Sequence, residues 1–234
     1  MLGTTVNTIT ILLGGGLGSR LGSKLSKRYS DILLNALALS VILMGLKSAL
    51  ETKNILLLIC CMAIGSIIGE FLRIEERLDY LSKLVDKKFA NQHGNLAEGF
   101  MTATLIYCVG SMAIIGAIES GISNNHSTLF AKSILDGVSA LVFSSTLGIG
   151  VALAAVPVFI YQGSITLLSS LLSGYLSVEA INELSAVGGL LVMVIGLNIL
   201  EVTKIKVANM LPAVFLPVLY FMVKMLLQDY MVLY

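Results

Sequence analysis

The chain has 234 residues, 56% of them hydrophobic and only 12% charged, with a mean hydropathy of +0.93. A soluble domain carries about 25% charged residues, so this composition excludes a soluble globular protein and predicts an all-α polytopic transmembrane bundle of about seven to eight helices. A net charge of +1 gives no basis for binding nucleic acid, and the three cysteines (Cys60, Cys61, Cys108) lie in apolar runs without metal-ligand or disulfide spacing.

No basic residue precedes the first apolar run and no cleavage site is evident, so a signal peptide is not expected. Trp is absent, and the interfacial belt falls to tyrosines such as Tyr29, Tyr175, Tyr230 and Tyr234. Residues 4–21 form the first apolar segment, in which Gly14, Gly18 and Gly22 recur four apart. Such a series makes a smooth helix face that another helix can approach closely. Asn7, in the same segment, reads either as an interhelical hydrogen bond or as a ligand. The basic cluster Arg20, Lys24, Lys27 and Arg28 follows, and the positive-inside rule puts it in the cytoplasm.

Residues 30–50 and 54–72 are the second and third segments. The third holds Gly65 and Gly69, again four apart, and then Glu70 and Arg73. Glu70 reads equally as half of a surface ion pair with Arg73 and as a ligand. Residues 73–94 are the one extended polar stretch. Leu78, Leu81, Val85 and Phe89 recur there at helical spacing, which predicts an amphipathic helix on the cytoplasmic surface. The chain thus divides into a membrane half at 1–74, a linker at 75–94 and a second membrane half at 95–234.

Asn95 and Glu98 open the fourth segment with capping-box spacing, and its helix is expected to run through Gly110 and Gly116 to about residue 119. Loop 120–127 lacks Lys and Arg, as an external loop should. After Lys132 and Asp136 no charge occurs until Glu179, an interval too long for one crossing. Breaks are expected at Gly148, Gly150 and Pro157, where unusual dihedrals or a missing amide are least costly. Asp136 lies about two turns into its helix, at a depth where a carboxylate is expensive, although Lys132 four residues earlier can pair with it. Gln162 stands beside Gly163 in the apolar run that follows.

Glu179 and Glu183 are expected in an acidic external loop before a segment at 185–202 that contains Asn198. The last segment, 209–228, contains Pro212 and Pro217, so its first turns should be bent or non-helical, and Asn209 reads as a helix cap or as a pathway residue. Eight crossings, with the N-terminus outside, satisfy every loop; seven, with 155–173 re-entrant, is the alternative. Residues 31–45 can be laid on 136–150, and Met62–Gly65 on Met193–Gly196, which suggests an internal inverted repeat with broken helices.

Thr5-Val6-Asn7 with Gly14-Gly15-Gly16-Leu17-Gly18, Gly65-Ser66-Ile67-Ile68-Gly69-Glu70, Ala131-Lys132-Ser133-Ile134-Leu135-Asp136, Ser185-Ala186-Val187-Gly188-Gly189-Leu190 and Asn209-Met210-Leu211-Pro212-Ala213 occur in that order. Together they resemble the YqgA/YdfK-type family of bacterial inner-membrane proteins across nearly the whole chain. The resemblance implies a multi-pass protein of the bacterial plasma membrane, in a family of unknown function that carries a transport label. It supplies neither a substrate nor a site.

The expected function is secondary transport of a small solute or ion, with Asp136 binding or relaying a cation or proton. Asn7, Glu70, Gln162 and Asn198 are the further candidate ligands. No ATP-binding motif, cofactor site or catalytic constellation is visible, so an enzyme is not expected. An oligomeric ion channel is one alternative, its glycine faces forming a homo-oligomer interface. A non-transporting scaffold that recruits a partner through the linker is the other.

Overall fold

In lipid, every backbone amide and carbonyl must be satisfied within the protein, which leaves long apolar runs little choice but helix. The computed structural model describes residues 1–22, 26–77, 80, 96–108, 110–172 and 177–232, and these contain helices and no strand. In chain order they are α1 (Leu2–Gly22), α2 (Lys27–Ala49), α3 (Ile55–Leu72), α4 (Leu96–Cys108), α5 (Ser111–Ile122) and α6 (Ser127–Leu147). There follow α7 (Gly150–Leu153), α8 (Ala155–Leu167), α9 (Ser169–Leu172), α10 (Val178–Ile199), a 3-10 helix (Val207–Phe215) and α11 (Leu216–Val232). Most of the 75–94 linker, and Asn95 of the capping box, lie outside the described residues.

Among the described residues, six helices are long and apolar enough to cross a membrane, or seven with α4 and α5 taken as one bent span. α1 is as long as these but less apolar, and it earns its place through packing. A side-chain carbon at Gly14, Gly18 or Gly22 would collide with the backbone carbonyl of Gly137, Leu141 or Ser145 respectively. The two series ascend together, so α1 and α6 run parallel with their backbones in near contact along most of their length.

Two further glycine contacts are antiparallel. Gly45 of α2 lies on Gly189 and Met193 of α10, while Gly196 meets Ala38 and Ile42. Gly65 and Gly69 of α3 abut Ala213 and Asn209 of the 3-10 helix. Asn54 caps α3 by accepting a hydrogen bond from the Leu57 amide, as its position before an apolar run suggests.

Several expectations are corrected. Glu179 and Glu183 belong to α10, whose start is capped by the Ser177 hydroxyl accepting from the Ala180 amide. Glu183 is buried. Its Oε1 accepts from the amides of Lys53 (2.7 Å) and Asn54 (3.0 Å), and its Oε2 from the Thr52 hydroxyl (2.6 Å). It thereby satisfies orphan donors at the start of α3 and ties the α2–α3 turn to α10. Glu183→Ala should lower stability by about 2 kcal/mol or more, read from thermal unfolding in detergent, because buried donors would lose a charged acceptor.

Arg73 does not pair with Glu70. As the left-handed C-cap of α3 (φ 50°) it turns toward Glu76, with Nη1–Oε2 3.8 Å. The fourth segment is not one helix: α4 and α5 meet at 58°, and Gly110 takes φ 140°, which a side chain rarely adopts. Gly148 (φ 79°) ends α6 as expected. Pro157 is the third residue of α8, and the interruption between α7 and α8 falls at Ala154 just before it, where the missing amide leaves the Leu153 carbonyl without its helical partner. Gly150 begins α7 and serves close approach, lying against the Leu96 carbonyl. Pro212 sits inside the 3-10 helix, consistent with a bent start to the last segment.

Residues 150–169 run the full height of the bundle beside α4 and α5. Gly150 touches Leu96 at one end, and Thr166 and Ser169 touch Gly121 at the other. They lie antiparallel along α1, with Ala152 against Gly15 and Thr166 beside Thr4. The match of Met62–Gly65 to Met193–Gly196 falls on α3 and α10, whose N-termini are joined through Glu183. These two helices run the same way, so this match does not describe an inversion.

Candidate functional site

Helical spacing aims four polar side chains at one point. On α1, Asn7, Ile11, Gly14 and Gly18 form a buried stripe facing α6. On α6, Lys132, Asp136, Ala140 and Phe143 form another, and on α8 Val158, Gln162 and Ile165 complete the third wall. Asp136 is the tenth of the 21 residues of α6, which puts it roughly 14 Å from the helix start, near mid-height.

The Lys132 ammonium sits astride both oxygens of Asp136, 3.0 Å from Oδ1 and 2.9 Å from Oδ2. Asn7 Nδ2 donates to Asp136 Oδ2 (3.0 Å) and to Gln162 Oε1 (3.2 Å), which uses both of its protons. Asn7 and Gln162 are fully buried, and Lys132 and Asp136 nearly so. One turn along from the two amides, the hydroxyls of Thr4 and Thr166 lie 3.4 Å apart, also between α1 and α8. On the other side of Asp136, the Ser139 hydroxyl donates to its backbone carbonyl (3.0 Å) and lies 3.4 Å from the buried Tyr107 hydroxyl.

Two atoms of the cluster have no hydrogen bond: Asn7 Oδ1, an acceptor, and Gln162 Nε2, a donor. Buried polar atoms are nearly always paired, and an acceptor and a donor left open beside an ion pair are suited to a ligand with both kinds of partner. The charges of Lys132 and Asp136 cancel, which makes the cluster tolerable in a low-dielectric interior. Among the described residues no group of three or more His, Cys, Asp or Glu could hold a metal ion by itself.

Asn7, Asp136 and Gln162 therefore converge, whereas Glu70 and Asn198 lie elsewhere. Glu70 Oε2 accepts from Asn209 Nδ2 (2.6 Å), and its Oε1 is 3.6 Å from Lys206 Nζ. Asn209 is not a helix cap. Its Oδ1 accepts from the Glu75 amide (2.7 Å), so its side chain joins the end of α3 to the 3-10 helix. Asn198 folds the following loop by accepting from Thr203 Oγ1 (2.6 Å) and the Ile205 amide (3.1 Å) and donating to the Ile205 carbonyl (2.8 Å). Thr4 and Thr166 are additions that sequence reasoning missed; their signal was a hydroxyl one helical turn from each buried amide.

The family model for a protein of unknown function, DUF554, matches residues 2–222. The chain belongs to the DUF554 family. It is 35% identical over 221 residues to the uncharacterized membrane protein YdfK of Bacillus subtilis (strain 168), covering 93% of this chain and 94% of that one. It is 27% identical over 221 residues to the uncharacterized protein YqgA of Escherichia coli (strain K12), covering 92% and 94% respectively. No solved structure matches the chain. The DUF554 match takes in all four residues of the buried cluster, and the name of the relative YdfK and the apolar helices agree on a multi-pass membrane protein.

Proposed function

We propose that this protein is a secondary transporter of a small solute or ion in the bacterial plasma membrane, with Asn7, Lys132, Asp136 and Gln162 as its central site. The observation that carries the reading is the buried ion pair at mid-height of α6, flanked by an open acceptor and an open donor from two other helices. Ionisable groups inside membrane segments are costly and face the bundle interior where they serve solute or ion pathways. The interruptions at Gly110 and Gly148, and the 3-10 stretch at Val207–Phe215, supply the discontinuous helices on which transporters build such sites. With the basic cluster at 20–28 in the cytoplasm, the parallel α1 and α6 both begin outside.

The test is thermal unfolding of the purified protein across a panel of amino acids, carboxylates, anions and cations, with Asp136→Asn alongside, followed by uptake into proteoliposomes. A ligand that binds only the folded state raises its Tm, by about 2.7 kcal/mol of added stability at a hundredfold excess over Kd. A solute that stabilises wild type but not Asp136→Asn, and is then accumulated against its gradient, is the expected result. Equal responses of the two proteins would remove the site from Asp136, and single-channel currents would replace the transporter with a pore.

A further inference from the structure

Within that reading, we propose that Lys132 is a displaceable counter-ion. The site at Asp136 takes a monovalent metal cation, and the Lys132 ammonium covers the carboxylate whenever that cation is gone.

Three observations support this. First, Lys132 Nζ already occupies a cation position, within 3.0 Å of both carboxylate oxygens. Second, the order of the pair along α6 favours release. Lys four residues before Asp is the weaker order for such a pair, because Cα–Cβ bonds tilt toward the helix N-terminus and the lysine must bend back to reach Asp136. Its relaxed direction is toward Ser127, five residues away, or about 7–8 Å along the axis. A lysine stem covers most of that distance, so the ammonium can snorkel toward the bundle end while α6 stays still. An ammonium is also a point charge on a flexible stem, without the two-pronged grip of a guanidinium.

Third, oxygen atoms from three helices gather close to the ion pair. Gln162 Oε1 is joined to Asp136 Oδ2 through the Asn7 amide nitrogen, rotation of that amide would turn the open Asn7 Oδ1 toward a cation on Asp136, and the hydroxyls of Thr4 and Thr166 lie one turn away. Carboxylate, carbonyl and hydroxyl oxygens select hard cations. A single carboxylate balances one positive charge, whereas a divalent ion would leave a net charge buried. Exchange of ammonium for cation never leaves Asp136 unpaired, which is what a site that must empty and refill inside a membrane requires.

The purified full-length protein would be melted in NaCl, KCl and LiCl against choline chloride, at constant ionic strength and pH. We expect one alkali cation to raise the Tm of wild type saturably. Lys132→Gln, which removes the competing charge, should lower the half-saturating concentration roughly tenfold or more. Lys132→Arg, with its bidentate hold on the carboxylate, should raise it. The two variants move in opposite directions, so a general loss of stability cannot imitate the result, and radiolabelled sodium binding gives a second readout if one variant folds poorly. An unchanged half-saturation in Lys132→Gln overturns the proposal. So does a Tm that responds to no alkali cation in wild type and Lys132→Gln alike. If a solute still stabilises wild type but not Asp136→Asn in either of those cases, the transporter reading stands and only the counter-ion role falls.

Discussion

Lys132→Met in choline buffer is expected to lower the unfolding free energy by about 3–5 kcal/mol, the range for stranding one charge of a buried ion pair. Asp136 would remain nearly inaccessible to water, with only the Asn7 amide still donating to it. Adding Asp136→Leu should recover most of the loss, because an apolar pair of similar volume needs no desolvation. The cycle of wild type, two single variants and the double variant, followed by thermal and denaturant unfolding in one detergent, isolates the pair. Additive effects would show that the two charges do not depend on each other. Recovery of stability without recovery of solute response would separate the site's role in function from its role in folding.

The second large effect concerns the face between α1 and α6. Gly18→Val should be among the most damaging single changes, at about 3 kcal/mol or more, because the new side chain meets the Leu141 backbone and no rotamer change relieves it. Even Gly18→Ala should be costly. Gly16 is the internal control: nothing lies within 4 Å of a carbon added there, so Gly16→Ala should be neutral or stabilising by up to about 1 kcal/mol from helix propensity alone. Size-exclusion profiles and melting temperatures of Gly16→Ala, Gly18→Ala and Gly18→Val would show the contrast. Equal tolerance at both positions would mean that α1 does not pack on α6 as described.

Much of the architecture was legible because lipid imposes strict rules. Apolar runs became helices, and the four-residue glycine series became close helix contacts. What the spacing could not reveal was which helix each glycine face meets, since that choice rests on contacts more than a hundred residues apart. The same limit applied at the site. Asn7, Asp136 and Gln162 each stood out as polar residues in apolar surroundings, but their hydrogen bonds join positions 129 and 155 residues apart. Local rules also misled where a longer-range partner was stronger. Glu70 had Arg73 one turn away, yet the left-handed Arg73 points to Glu76 and Glu70 meets Asn209 instead. Glu183 read as a loop acid because nothing near it in sequence shows that two amides and a hydroxyl of the α2–α3 turn need it. The break at Gly110 escaped notice because a lone glycine in an apolar run is compatible with an unbroken helix.

The pairing of α1 with α6 also sets a timetable for synthesis. A ribosome adds about 5–20 residues per second, and α6 begins at Ser127, whereas α1 ends at Gly22. For roughly 5–20 seconds α1 is therefore in or near the bilayer without the helix that covers its glycine face, and Asn7 is without Asp136. Less apolar than the other long helices, α1 depends during that interval on the insertion machinery or on early neighbours to keep it from slipping out or pairing wrongly. Nascent chains halted before and after α6 emerges should differ sharply in how readily α1 is extracted by alkaline carbonate, with firm retention only once α6 has entered.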